Sequence, residues 1–293
     1  MYRSFFKGLI FLMILGQARV LSAQPKDKRL QLKLEAAIRD FQGDIGIYVK
    51  NLRNGKMVAI GADSLFPTAS MVKIPILLGI MDKIEKGELQ YHGELVYRDS
   101  LLYPGSDILG SFKDGEKIEL SKVLMLMLTT SDNTASLWLQ SLAGTGTRIN
   151  QLLDSLGWKA TRVNSRTGGR EQDRVRYGWG QTTPREMAGL FEAIYDKKIF
   201  SPAACERMMR LLGRNYWDEE GLSQVPPTIE VFSKNGAVNA SRSETMLVNA
   251  KKNPYLICIC TKNNKDESWG KHNEAWELTR NISKMVWEYW GEK

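Results

Sequence analysis

The sequence predicts an α/β fold of the α+β kind: an antiparallel sheet flanked by N- and C-terminal helices, with a large all-helical lobe inserted between its early and late strands. Three observations predict it. Strand-like alternation follows the first helix and returns near the end, the long middle stretch carries helical periodicity, and an amphipathic helix closes the chain. With 293 residues, 43% of them hydrophobic, there is material for a sizeable core in one large domain or two interleaved ones.

Residues 1–23 read as a secretory signal: Arg3 and Lys7 precede an apolar run from Gly8 to Gly16, and Leu21-Ser22-Ala23 supplies a cleavage site near Ala23. The run is about half the roughly 20 residues that cross a bilayer. Export to the periplasm or extracellular space, without stable membrane insertion after cleavage, is therefore expected. Losing Arg3, Lys7 and Arg19 with the signal lowers the formal charge from +8 to +5, a mild and dispersed excess that gives no case for nucleic acid.

Residues 30–41 have helical periodicity, 44–50 alternate like a strand, Asn54-Gly55 is a hairpin signal, and 57–61 form a second strand. Helices follow at 70–86, 121–129, 134–142, 149–156, 184–196 and 202–212. Strands return at 230–234, 245–249 and 255–261, before a helix over 273–289. This order divides the chain into a discontinuous sheet domain, 24–65 with 214–293, and a helical domain, 66–213. A cleft between two such lobes is where substrate sites commonly sit. A monomer is expected.

Only Cys205, Cys258 and Cys260 occur, and Cys258-Ile259-Cys260 is read as poorly placed to pair, so no disulfide framework is indicated. With His92 and His272 the only histidines, a zinc hydrolase site is hard to build; no metal or organic cofactor is implied.

Three short motifs carry the chemistry. Ser70-Met-Val-Lys73 puts a hydroxyl and an amine three residues apart, on one face of a helix, where the amine can take the hydroxyl proton. Ser268-Trp-Gly-Lys271 repeats the pattern in a polar loop, but Ser70 stands at a helix start, whose free amides and dipole favour a developing oxyanion. The plainer reading of Ser70 is a helix cap beside a solvated Lys73. Ser131-Asp132-Asn133 breaks two apolar helical runs and also reads as a turn with an Asn or Ser cap. Lys234-Asn235-Gly236, followed by Ala237, ends a strand-like run and also reads as a strand leaving into a turn. The ordered conjunction of the three is much less probable by accident than any one.

In that conjunction the chain resembles the serine β-lactamases and penicillin-binding proteins, which carry S-x-x-K, S-D-N and K-T-G in this order. The likeness spans nearly the whole chain after the signal, since the sheet, helices, sheet order and the motif spacing are similar to those of class A β-lactamases. The resemblance implies that Ser70 is acylated and that Lys73 accepts or relays its proton. It further implies that Ser131 passes a proton to the leaving nitrogen, Asn133 binds the substrate amide, and Lys234 holds the substrate carboxylate. The amides of Ser70 and Ala237 would form an oxyanion hole, with Asn235 and Gly236 lining the substrate site. Arg242 is similar to a family arginine that grips the carboxylate. The implied substrate is a small molecule, a β-lactam or a D-alanyl peptide.

The sequence also departs from the family. Class A enzymes activate the deacylating water with a Glu in an E-x-x-L-N loop after S-D-N. Here that stretch, 161–174, has no such pattern: Thr167 falls at the Glu position and Glu171 at the Asn position. Glu171 is the expected relocated base, or else a solvated charge paired with Arg170 or Arg174. The threonine of K-T-G is replaced by Asn235, whose amide can still hydrogen-bond a carboxylate. The expected function is opening of β-lactam rings through a Ser70 acyl-enzyme. Alternatives are a penicillin-binding D-alanyl peptidase with slow β-lactam turnover, an esterase-like hydrolase, or a binding domain without turnover.

Overall fold

The structure, a computed structural model, describes residues 25–291; the expected signal, 1–23, lies outside the described residues. No described helix is long and apolar enough to cross a membrane.

Helix α1 (Lys28–Ala37), capped by the Asp27 carboxylate, leads into strands β1 (Asp44–Asn51) and β2 (Met57–Ile60). The connection holds Gly55 at φ 73° and is fastened by the Asn51 amide oxygen, which accepts from the Arg53 and Asn54 amides. Strands β8 (Val231–Val238), β9 (Ser241–Val248) and β10 (Tyr255–Lys262) complete one sheet in the order β2-β1-β10-β9-β8. All of its neighbouring strands pair antiparallel. One face is covered by α1 and the terminal helix α9 (Glu274–Val286), through Leu30, Leu34, Leu278, Ile282 and Val286. A π turn, Trp287–Gly291, ends the described chain.

Between β2 and β8 lie the helices. They are α2 (Lys73–Glu85), α3 (Leu120–Thr129), α4 (Asn133–Leu142), α5 (Thr145–Ser155), α6 (Glu171–Tyr177), α7 (Pro184–Tyr195) and α8 (Pro202–Leu212). The short strands β3 (Phe66–Pro67), β4 (Glu94–Val96), β5 (Lys117–Glu119), β6 (Arg162–Val163) and β7 (Gly180–Thr182) sit among them. Helix α2 is buried from Lys73 to Asp82, so its apolar run is the spine of the lobe. The apolar core does not stop at the expected domain boundary. It runs from α2 through Phe191 of α7 to Tyr48, Leu256 and Cys258 on the second face of the sheet.

Several local expectations are corrected. The 230–234 strand continues to Val238, so Lys234, Asn235 and Gly236 stand inside the β8 ladder, opposite Thr245, Glu244 and Ser243. The 70–86 helix opens as a 3₁₀ turn, Ala69–Val72, in which Ser70 caps nothing. In the Ser131-Asp132-Asn133 break the cap is Asp132, whose carboxylate accepts from the Ala135 amide at 2.7 Å. Cys258 and Cys260, two apart on β10, share one face with their sulfurs 3.7 Å apart; both thiols are free and buried.

Candidate active site

The site forms where the edge strand β8 meets the 3₁₀ turn that carries Ser70. Gly236 makes the approach possible: a β-carbon there would lie 2.6 Å from the Ser70 amide nitrogen and 2.6 Å from the Thr68 carbonyl oxygen. The turn and the Ser131 break both use left-handed backbone at non-glycine residues, Ala69 at φ 43° and Ser131 at φ 61°. Such conformations cost on the order of 1 kcal/mol or more each and persist where surrounding contacts fix them.

Lys73, the first residue of α2, is fully buried. Its ammonium nitrogen lies 3.1 Å from the Ser70 hydroxyl, 2.9 Å from the Ser131 hydroxyl, 2.6 Å from the Ser131 carbonyl and 3.0 Å from the Asn133 amide oxygen. Burial, aided by the nearby Lys234 charge and partly opposed by Asp132, holds its pKa well below the ordinary lysine value. The solvated-lysine alternative is thereby overturned: Ser70, Lys73, Ser131 and Asn133 form one hydrogen-bonded cluster.

Asp132 fixes the frame. Besides capping α4, it accepts from the amides of Ile108 (2.6 Å) and Leu109 (2.9 Å), tying the 103–111 loop to the Ser131 turn. The Asn133 amide donates to the Ser106 carbonyl at 2.8 Å, and Gly105 and Ser106 become one wall of the cleft.

Two cavities meet at Ser70. The larger, of about 560 Å³, is bordered by Ser131, Asn235, Ala237, Trp217, Glu219 and Trp269. The smaller, about 200 Å³, lies between Ala237 with Val238 and the Tyr177-Gly178-Trp179 segment. Asn133, Ser70 and Ala237 border both.

Lys234 is not on the cavity surface. It is fully buried, and its ammonium donates to the Asn235 carbonyl (2.9 Å) and amide oxygen (3.3 Å), so Asn235 presents the cavity wall with a cation behind it. Burial brings the Lys234 pKa down to about 7, Glu244 opposing the shift. The Asn235 side-chain amide nitrogen donates to the Trp217 carbonyl at 3.3 Å, which joins the strand to the loop carrying Trp217.

Two expected site residues are placed elsewhere. Glu171, at the start of α6, is exposed, accepts from the Gly169 amide at 3.1 Å, and borders neither cavity beside Ser70. A carboxylate at an exposed helix start is solvated and near free amides, so its preferred partners are local. The expected pairing with Arg170 or Arg174 is not its arrangement either: Arg170 instead bonds Asn164, Gln181 and Asp173. Thr167 is turned to α5, its hydroxyl donating to the Ser165 carbonyl and filling the space above Gly146. Arg242 is also withdrawn. Its guanidinium donates to the carbonyls of Val238, Asn239, Ser241 and Ser268 and stacks over Trp269 (4.7 Å) and Trp276 (5.9 Å), behind the cavity wall. Carbonyl groups at the β8–β9 turn and at Ser268 take the two terminal nitrogens that a carboxylate would need.

Sequence reasoning missed Asp132 as a loop anchor, the aromatic wall, and Glu244, a carboxyl buried on β9 beneath Asn235. The capping preference of Asp was the available signal for the first. The walls come from loops far apart in sequence and carry no periodic signal.

Known proteins are similar over nearly the full length. Beta-lactamase VEB-1 of Pseudomonas aeruginosa is 23% identical over 274 residues, 90% of this chain and 91% of that protein. Among solved structures, a mutant of PBP-A described as an acyl-enzyme complex with penicillin-G has a TM-score of 0.80 at 24% identity, covering 92% of this chain and 98% of its own. A beta-lactamase from Chitinophaga pinensis has a TM-score of 0.80 at 18% identity, covering 89% and 99%. These likenesses establish the fold. Residues 29–290 match the model of the beta-lactamase enzyme family, and the chain belongs to that family, as a serine β-lactamase-like hydrolase.

Proposed function

We propose that the protein opens β-lactam rings through an acyl-enzyme on Ser70. The observation that carries this reading is the buried Lys73 nitrogen, 3.1 Å from the Ser70 hydroxyl and 2.9 Å from the Ser131 hydroxyl. Burial holds the Lys73 pKa well below the ordinary lysine value and so favours the neutral amine, which has a lone pair for the serine proton. The Ser70 oxygen attacks the ring carbonyl carbon and its proton passes to Lys73. When the C–N bond breaks, the Ser131 hydroxyl protonates the departing nitrogen and recovers its proton from Lys73. The Ser70 and Ala237 amides would stabilise the oxyanion, a contribution of about 10² to 10³ in rate per donor. Asn133 would bind the substrate amide, and the Lys234 charge acts on the substrate carboxylate through the Asn235 wall.

A second reading, a D-alanyl peptidase that β-lactams acylate persistently, is favoured by one observation. Among the described residues, no carboxylate borders the smaller cavity, and of the two that border the larger, Glu220 is paired with Arg280. Water attacking the acyl-enzyme from the smaller cavity then has no carboxylate base beside it.

A time course of intact mass with penicillin G, with Ser70→Ala as control, tests both. An adduct dependent on Ser70 is the expected result. Its clearance as drug is consumed supports the lactamase, its persistence supports the peptidase, and no adduct removes the β-lactam reading.

A further inference from the structure

The segment that follows α8 is fastened to both lobes. Toward the helices, the Tyr216 amide donates to the Thr129 carbonyl and the Trp217 indole N–H to the Thr130 carbonyl, each at 2.9 Å. Those carbonyls stand at the C-terminal end of α3, where carbonyls lack partners within the helix. Toward the sheet, the Asn215 side-chain amide donates to the Ser233 hydroxyl at 3.2 Å, and the Asn235 side-chain amide to the Trp217 carbonyl at 3.3 Å. Trp217 thus holds the neighbours of two motif residues: Thr130 precedes Ser131, with its left-handed backbone, and Asn235 follows Lys234. Ser131, Trp217 and Asn235 all border the larger cavity.

The need for a core does not explain this tryptophan, which is 44% exposed. Its two hydrogen bonds do more than its burial. The Asn235 side chain accepts from the Lys234 ammonium with its oxygen and donates to Trp217 with its nitrogen. The reverse orientation would set donor against donor at Lys234 and acceptor against acceptor at Trp217, so the two partners fix the amide. Its second N–H has no partner among the described residues and is left for a substrate carboxylate. In a penicillin the carboxylate sits one carbon from the nitrogen that departs. The groups serving the two therefore have to be held at one spacing.

We infer that Trp217 is a positioning residue: by tying the Ser131 turn to Asn235, it sets the spacing between the group that protonates the leaving nitrogen and the group that receives the carboxylate. Its part in acylation rests on the Ser70 acyl-enzyme reading proposed above; the tie itself does not.

Trp217→Phe keeps a ring at this exposed position and removes the indole N–H. With penicillin G, the limiting rate of adduct formation should fall about five- to tenfold, the scale of one hydrogen bond, with a smaller change in the half-saturating concentration. In Asn235→Ala protein the tie is already cut, and adding Trp217→Phe should cost less than about twofold. A merely structural role would instead lower the urea midpoint and give its full cost in both backgrounds. Hydrogen exchange at the Tyr216 amide reads the tie without a drug. Asn235→Ala removes no bond of that amide, yet should speed its exchange by about fivefold or more. A wild-type acylation rate in Trp217→Phe, an undiminished cost beside Asn235→Ala, or unchanged protection of Tyr216 overturns the inference. No adduct with the wild-type protein would sink the β-lactam reading, and exchange at Tyr216 would still decide the tie.

Discussion

Gly236 stands so close to Ser70 that the edge strand and the 3₁₀ turn touch backbone to backbone: an added β-carbon would meet the Ser70 nitrogen at 2.6 Å and the Ala69 β-carbon at 3.0 Å. None of these neighbours can rotate away. Gly236→Ala should push β8 off the turn, with a stability loss of about 1–3 kcal/mol, the usual cost of overpacking. Because the displaced strand also carries Ala237, acylation should slow by about tenfold or more, the order expected when an oxyanion donor is misplaced. Rates of penicillin adduct formation and urea denaturation of the same variant give the two numbers. A variant that acylates at the wild-type rate would show that the contact is not needed for the reaction.

The Lys73 position predicts the pH dependence of acylation. The reaction needs neutral Lys73, so its titration supplies the acid limb, along which kcat/KM should rise with pH. Lys234 must be protonated to act on an anionic substrate, so the same profile should fall above about 7, the Lys234 value in the free protein. The two lysines repel, and the Lys234 charge helps to depress Lys73. Lys234→Met should therefore move the acid limb to higher pH. An acid limb that stays in place would show that burial alone sets the Lys73 pKa.

Asp132 predicts a coupling between stability and cleft shape. Its carboxylate accepts from the Ala135, Ile108 and Leu109 amides, and Asp132→Ala leaves these buried donors without it. A loss of at least about 2 kcal/mol follows from unsatisfied amides and a missing cap. Asp132→Asn, which keeps one acceptor oxygen, should lose less. Hydrogen exchange at Ile108 and Leu109 should speed in both variants, and unchanged protection there would contradict the anchoring role.

The reactive cluster was legible in the sequence because its spacing rules are local. A serine and lysine three apart share a helical face, and a polar break between two apolar helical runs reads as a turn. The alternation of sheet and helix segments likewise gave the antiparallel sheet, though not the length of β8, since Asn235 and Gly236 look like turn residues until β9 is laid beside them. Glu171 and Arg242 were misplaced for a physical reason. Position along a loop says nothing of which backbone groups compete for a side chain, and Gly169 and the β8–β9 carbonyls won that competition. Glu244 was hidden because Ser241-Arg-Ser-Glu-Thr245 reads as polar and exposed, whereas β9 lies inside the sheet with all eight residues buried.

That buried Glu244 yields a stability prediction with a definite sign. Its carboxylate accepts from the Gly221 amide at 2.7 Å with one oxygen, while the other has no partner. Burial raises its pKa to about 7, against about 4.3 in an unfolded chain. Between those values the folded protein keeps a proton that the unfolded chain releases, so the contribution of Glu244 to stability is complete below about 4.3 and is lost as pH rises to about 7. Lys234 has the opposite sign: with its pKa lowered to about 7, from about 10.4 unfolded, its penalty is relieved as pH rises between those values. Together the pair places a trough of stability near neutrality. Glu244→Gln keeps an acceptor for Gly221 but cannot ionise. Relative to wild type it should gain stability between pH 5 and pH 8, by on the order of 2–3 kcal/mol if the full shift is realised. Urea denaturation at the two pH values measures this difference. An offset between variant and wild type that is the same at both would mean that Glu244 titrates in the folded protein as it does in the unfolded chain, and that its charge is accommodated by Lys234 across the strand.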